Sequence, residues 1–179
     1  MSSWKLFKNL HWYTHQPISS IRKYDSENDK LVSAKDILDK KVPIKPGDRI
    51  VILRHCPANC NKKTKELPVL TEPIRGNTIR AVMNALERGL RRPLKSGNRG
   101  RSNTKKGDYY FEPSQKYDFP PKNKVVYDKI SNYVDSHTRL ELIKKYESGN
   151  LKPYELYGDY AFFEGIYRRG KYLYFSVAS

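Results

Sequence analysis

A chain of 179 residues with 35 Lys and Arg against 19 Asp and Glu carries a formal charge of +16, a balance suited to phosphate backbones, anionic membrane surfaces or acidic proteins. Its 14 Tyr and 6 Phe exclude a wholly disordered polycation, and its length sets one domain as the default. No apolar stretch approaches the roughly 20 residues that cross a bilayer, Met1 to Lys8 lacks a signal-peptide apolar block, and two cysteines make no disulfide framework, so the expectation is a soluble, intracellular protein without a transmembrane segment or a cofactor.

In chain order, Trp4, Phe7 and Leu10 recur at helical spacing, and Ser33-Ala-Lys-Asp-Ile-Leu-Asp-Lys40 predicts a short helix capped by Ser33. Residues 1–45 read as an N-terminal region with room to form an extension of the domain. Lys45-Pro-Gly-Asp48 is a turn signal, and the apolar run Ile50 to Leu53 after it predicts a buried strand. A loop from Cys56 to Lys65 and a short Leu67 to Leu70 segment follow. The spacing of Ile79, Val82, Met83, Leu86 and Leu90 predicts a helix from an Asn77 or Thr78 cap to about Arg92, with Arg80, Asn84, Arg88 and Arg91 on or near its other side. Pro93 stops it.

From Arg88 to Lys106 there are eight basic side chains and no acid: Arg88, Arg91, Arg92, Lys95, Arg99, Arg101, Lys105 and Lys106. The run begins on the helix and passes into a Gly- and Ser-rich stretch, so residues 95–107 predict a flexible, exposed basic arm. Three readings stay open: a contact with an acidic protein surface in a larger assembly, a contact with a DNA or RNA phosphate backbone, and a solvated loop. In the nucleic-acid reading Arg80 joins the run along phosphates, and Tyr109, Tyr110, Tyr172 and Tyr174 are expected to be exposed and to stack on bases.

Further on, Gly107-Asp-Tyr-Tyr-Phe-Glu112 predicts a short strand and Phe119-Pro-Pro-Lys122 a rigid connector. Val126, Ile130, Tyr133, Val134, His137, Leu140 and Ile143 predict one bent helix or two short ones, broken near Ser136 and stopped at Gly149. Tyr160 to Tyr167 and Lys171 to Val177 predict a hairpin turning at Arg168-Arg-Gly170, with Leu173, Phe175 and Val177 inward and Tyr172, Tyr174 and Ser176 outward. The expected fold class is α+β: a small antiparallel sheet with a C-terminal hairpin packed against two or three helices, plus the exposed basic loop.

Candidate chemistry is sparse. Cys56 and Cys60 with His11 and His15 offer the donor set of a tetrahedral zinc site, against free or locally bridged thiols in a loop. Asp108, Glu112, Asp118, Asp159 and Glu164 are the carboxylates available to a metal-dependent nuclease, but none sits in a Glu-x-Lys pattern after an apolar strand. Phosphate-cradling glycine loops, nucleophile elbows and His-Glu-x-x-His helices are missing from the sequence. No catalytic residue is therefore assigned.

Pro73-Ile-Arg-Gly-Asn-Thr-Ile-Arg-Ala-Val-Met-Asn-Ala-Leu86, with Gly158-Asp-Tyr-Ala-Phe-Phe-Glu-Gly165 and a closing aromatic strand that ends on Ser179, resembles small uncharacterised proteins of large eukaryotic DNA viruses. The likeness implies a virus-encoded accessory or virion component, such as a minor capsid protein, and assigns no functional residue. The function expected is a non-enzymatic basic structural or interaction protein that tethers neighbouring proteins through its basic arm, located in the virion where the resemblance holds. The alternatives are a sequence-nonspecific nucleic-acid-binding protein and, more remotely, a metal-dependent nuclease.

Overall fold

The computed structural model describes residues 3–55, 67–94, 126, 129–130, 135–158 and 161–178. Within them the chain is α+β, built on two sheets. The expected basic arm at 95–107, the Cys56 to Lys65 loop, the Gly107 to Glu112 strand and the Phe119 to Lys122 connector lie outside the described residues.

A 3₁₀ helix, Ser3–Asn9, leads into β1 (Leu10–His11). At three residues per turn it sets Trp4 and Phe7 one above the other, and their rings stack 5.9 Å apart. Strands β2 (Arg22–Asp25) and β3 (Lys30–Ser33) complete an antiparallel sheet in the order β1-β2-β3. Helix α1 (Lys35–Leu38) follows, with Ala34 rather than Ser33 at its N-cap. Ser33 is held in the β3 ladder opposite Arg22, so its hydroxyl reaches the Lys35 amide only at 3.4 Å.

Residues up to 45 share their core with the rest. The Thr14 amide donates to the Ala161 carbonyl at 2.8 Å, and the Phe163 amide donates to the Trp12 carbonyl at 2.9 Å. Phe7, Leu10, Trp12, Ile21 and Ile37 belong to the same buried cluster as Leu86 and Leu173.

The second sheet contains β4 (Arg49–His55), β5 (Leu67–Pro73), β6 (Phe162–Arg169) and β7 (Tyr172–Ala178), in the order β5-β4-β7-β6. Its entry turn is built as the sequence signals: Pro46 precedes Gly47 at φ +85°, and the Asp48 amide returns to the Lys45 carbonyl at 3.0 Å. Strand β4 lies inside the sheet, which explains its unbroken apolar run Ile50 to Leu53, all buried. It pairs antiparallel with β5 but parallel with β7, so the sheet is mixed rather than wholly antiparallel. A parallel pair needs a long return, and the chain between these strands includes α2 (Ile79–Arg91) and α3 (Ser136–Glu147). The C-terminal hairpin turns at Gly170 and Lys171 rather than over Arg168 to Gly170, since both arginines pair within β6; Gly170 has φ +60°, the sign that the first loop position of a type II′ turn requires.

Val126, Lys129 and Ile130 are helical, and the Asp135 carboxylate starts α3 afresh by accepting from the His137 and Thr138 amides at 3.3 and 2.7 Å. That cap resets the helical phase. The helix begins at Ser136, where a break was expected; Leu142, Ile143 and Tyr146 are buried, while Leu140, expected on the apolar face, is 37% exposed and His137 lies at the surface. Gly149, at φ +73°, ends the helix as predicted.

Candidate cationic interface

Helix α2 carries the ordered start of the basic run. Thr78 caps it by accepting from the Ala81 amide at 3.2 Å. Its predicted apolar positions, Ile79, Val82, Met83, Leu86 and Leu90, are all fully buried. Close approach to the sheet is set at Gly89, where a Cβ would lie 2.4 Å from two carbons of the Ile52 side chain.

The four arginines of this region are partly exposed, yet each also fastens the fold. Arg80 grips Asp39 Oδ1 through Nε and Nη2 at 2.9 and 2.7 Å. Arg91 reaches Glu87 at 3.2 Å, the His15 carbonyl at 3.2 Å and the face of Tyr154 at 5.9 Å. Arg88 and Arg92 converge on one buried carboxylate, Glu72, at 3.4 and 3.0 Å, and donate to the Pro73 and Thr71 carbonyls. Two guanidiniums on one carboxylate leave a net positive charge where α2 ends, the helix end that favours cations. The sequence pattern identified these arginines as an exposed stripe but not their acids, because Asp39 and Glu72 come from distant segments. Lys95, Arg99, Arg101, Lys105 and Lys106 lie outside the described residues.

A second cationic surface lies on the face of the β4-β7-β6 sheet opposite α2. Ile50, Ile52 and Leu173 point toward the helix side, so the alternation of strand side chains puts Arg49, Val51, Tyr172, Tyr174, Tyr167 and Arg169 on the other side. Tyr167 and Tyr174 are opposite one another and stack with ring centres 5.4 Å apart and an interplanar angle of 14°. The Arg169 guanidinium sits over both rings at 5.5 and 6.0 Å. Arg54 donates to the Tyr167 hydroxyl at 2.7 Å, Arg49 donates to Thr71 Oγ1 at 2.7 Å, and the Lys171 ammonium lies 5.4 Å from the Tyr172 ring centre.

Tyr174 is only 5% exposed, contrary to the expectation that it offers a free ring. Its outward parity is right, but it is buried, with Tyr167 stacked on it and Arg169 over its ring. Tyr172 is half-buried, and Tyr109 and Tyr110 are outside the described residues. Arg49, Arg54, Tyr167 and Arg169 were not singled out in the sequence, although the i, i+2 spacing of Tyr167 and Arg169 was a legible signal for one face.

Behind this surface Tyr157 donates its hydroxyl to the Ile52 carbonyl at 2.6 Å, and the Lys129 ammonium lies 5.5 Å from the centre of its ring. Burial, then the neighbouring charge of Arg54, pushes the Lys129 amine below the usual lysine range. Burial likewise holds the Tyr157 phenol protonated well above its ordinary range.

The histidines of the zinc reading are packed as aromatics. His11 meets Phe162 edge-on at 5.0 Å, and His15 lies 5.7 Å from Tyr13. Cys56 and Cys60 lie outside the described residues, and among the described residues no three His, Cys, Asp or Glu gather in a way that could hold a metal ion. Of the nuclease carboxylates, Glu164 is exposed at a bulge of β6, while Asp108, Glu112, Asp118 and Asp159 are outside the described residues. Among the described residues no helix is long and apolar enough to cross a membrane.

No protein-family model matches the chain, and comparisons with curated proteins and with solved structures find no match.

Proposed function

We propose that the protein is a non-enzymatic structural component of a larger assembly, which meets an acidic protein neighbour through the basic segment that leaves α2. The observation that carries this reading is the contrast between body and segment. In the body Asp36, Asp39, Asp48, Glu72, Glu87 and Glu155 are each engaged by a lysine or arginine. From Arg88 to Lys106 the chain adds eight cations and no acid of its own to balance them. Arg88, Arg91 and Arg92 fix the start of that run to the fold, and the five cations from Lys95 to Lys106 supply the charge for the partner. The sequence resemblance to virion and accessory proteins supports a virion as the assembly, with this chain as a minor capsid component.

The test is binding of fluorescent poly-L-glutamate, a soluble acidic polypeptide, to the full chain and to a variant with Lys95, Arg99, Arg101, Lys105 and Lys106 replaced by serine. The wild type is expected to bind at about 50 mM salt and to weaken steeply by about 200 mM, as screening shortens the reach of surface charge. The five-site variant is expected to bind at least tenfold more weakly. Equal binding by the two proteins, or none by the wild type at about 50 mM salt, overturns the reading.

A further inference from the structure

The surface opposite α2 has a chemistry that an acidic protein does not need. It combines planar rings with guanidiniums on one rigid sheet: Tyr167, Tyr172, Arg49, Arg54 and Arg169, with Lys171 at the rim. An acidic protein surface offers carboxylates to the cations, but flat faces for the rings only where it also presents aromatic or proline side chains. A single-stranded nucleic acid offers both, phosphates at regular intervals and unpaired bases with open π-faces. We propose that this face binds single-stranded nucleic acid without strong sequence preference. It is a second contact surface, built from residues outside the basic segment and independent of that segment's reading.

The geometry divides the labour. Arg49 is anchored on Thr71, and Arg169 is laid across the Tyr167–Tyr174 stack, so both guanidiniums are held in place before a ligand arrives. Pre-placement of this kind lowers the entropy lost on binding. The Tyr172 ring, between Arg49 on β4 and Arg169 on β6, is the stacking position, and a base displaces the Lys171 ammonium from it toward a phosphate. Past Tyr167 the surface opens into a cleft bordered by Lys8, Gly165, Tyr167 and Ser176, with Glu164 as the one acid among its described lining residues. Lys8 continues the cationic track there. A duplex, its base faces covered by stacking within the helix, satisfies the cations but leaves the rings unused.

The experiment is fluorescence anisotropy with labelled dT20 and with a random-sequence 20-base-pair duplex, across about 50 to 200 mM salt. The full chain is expected to prefer dT20. Tyr172→Ala should weaken dT20 binding about tenfold, the loss of one stacked base, while Tyr172→Phe, which keeps the ring, should restore it. The triple replacement of Arg49, Arg169 and Lys171 by glutamine should lower the slope of log affinity against log salt by about 2, at about 0.7 per single-strand phosphate contact. Neither set of substitutions should change poly-L-glutamate binding, and the five serine replacements should leave the effect of Tyr172→Ala intact. Equal or tighter binding of duplex, a Tyr172→Phe variant as weak as Tyr172→Ala, or an unchanged salt slope overturns the proposal.

Discussion

Gly89→Ala tests how the fold presents both cationic surfaces, since it acts where α2 lies against the sheet. On an isolated helix the change stabilises by about 1 kcal/mol, because glycine has the larger backbone entropy to lose. Here the new Cβ falls 2.4 Å from Cγ1 and Cδ1 of Ile52, and 3.4 Å from the Glu72 Cβ. Ile52 is 2% exposed on an interior strand, so its side chain has nowhere to retreat and the helix must lift. Overpacking of this kind costs about 1 to 3 kcal/mol. With the propensity gain set against it, the expected net loss is about 0 to 2 kcal/mol. Lifting also draws Arg88 and Arg92 from Glu72, so the loss should sit at the upper end. Urea denaturation of the single and double variants measures it. Ile52→Ala alone should cost about 2 to 5 kcal/mol, but on that background Gly89→Ala should become neutral or stabilising, since the clashing atoms are gone. Equal destabilisation by Gly89→Ala in both backgrounds, or stabilisation in the wild type, would refute the packing argument.

Asp48→Ala removes the buried acceptor of Arg168, 2.7 Å away, and of the Lys45 amide, and should cost about 3 kcal/mol by urea denaturation. Thr78→Ala deletes the side-chain cap of α2 and should cost about 1 kcal/mol, with Thr78→Ser retaining most of it. Lys129 has a depressed affinity for its proton in the fold, so between its folded value and its unfolded value of about 10.4 the unfolded chain binds the extra proton, and stability rises with pH across that window. Lys129→Met should remove that rise, which the difference between the pH profiles of the two proteins reports.

Local signals carried most of the ordered elements. The Lys45 to Asp48 turn, the apolar run of β4, the Thr78 cap, the stripe of α2 and the Gly170 hairpin depend on residues close in sequence, and each formed where its signal lay. What the sequence left unread depends on partners from far along the chain. The parallel pairing of β4 with β7 joins segments some 120 residues apart, and nothing local distinguishes it from an antiparallel neighbour. The arginines of α2 looked free because Asp39, Glu72 and Glu87 were not matched to them by spacing alone, although Glu87 and Arg91 stand at i, i+4. Tyr174 pointed outward by parity, yet it is buried, with its cross-strand neighbour Tyr167 stacked on it. The sheet-face cluster was half legible, in Tyr172 but not in the arginines on the adjoining strands.

The proposed contact with an acidic protein neighbour is the basic segment after α2. Backbone hydrogen exchange of the full chain, with and without saturating poly-L-glutamate, tests it most directly. Added protection is expected to concentrate between Lys95 and Lys106 and to disappear as salt rises. Unchanged exchange there, with protection elsewhere on the body or nowhere, would contradict it.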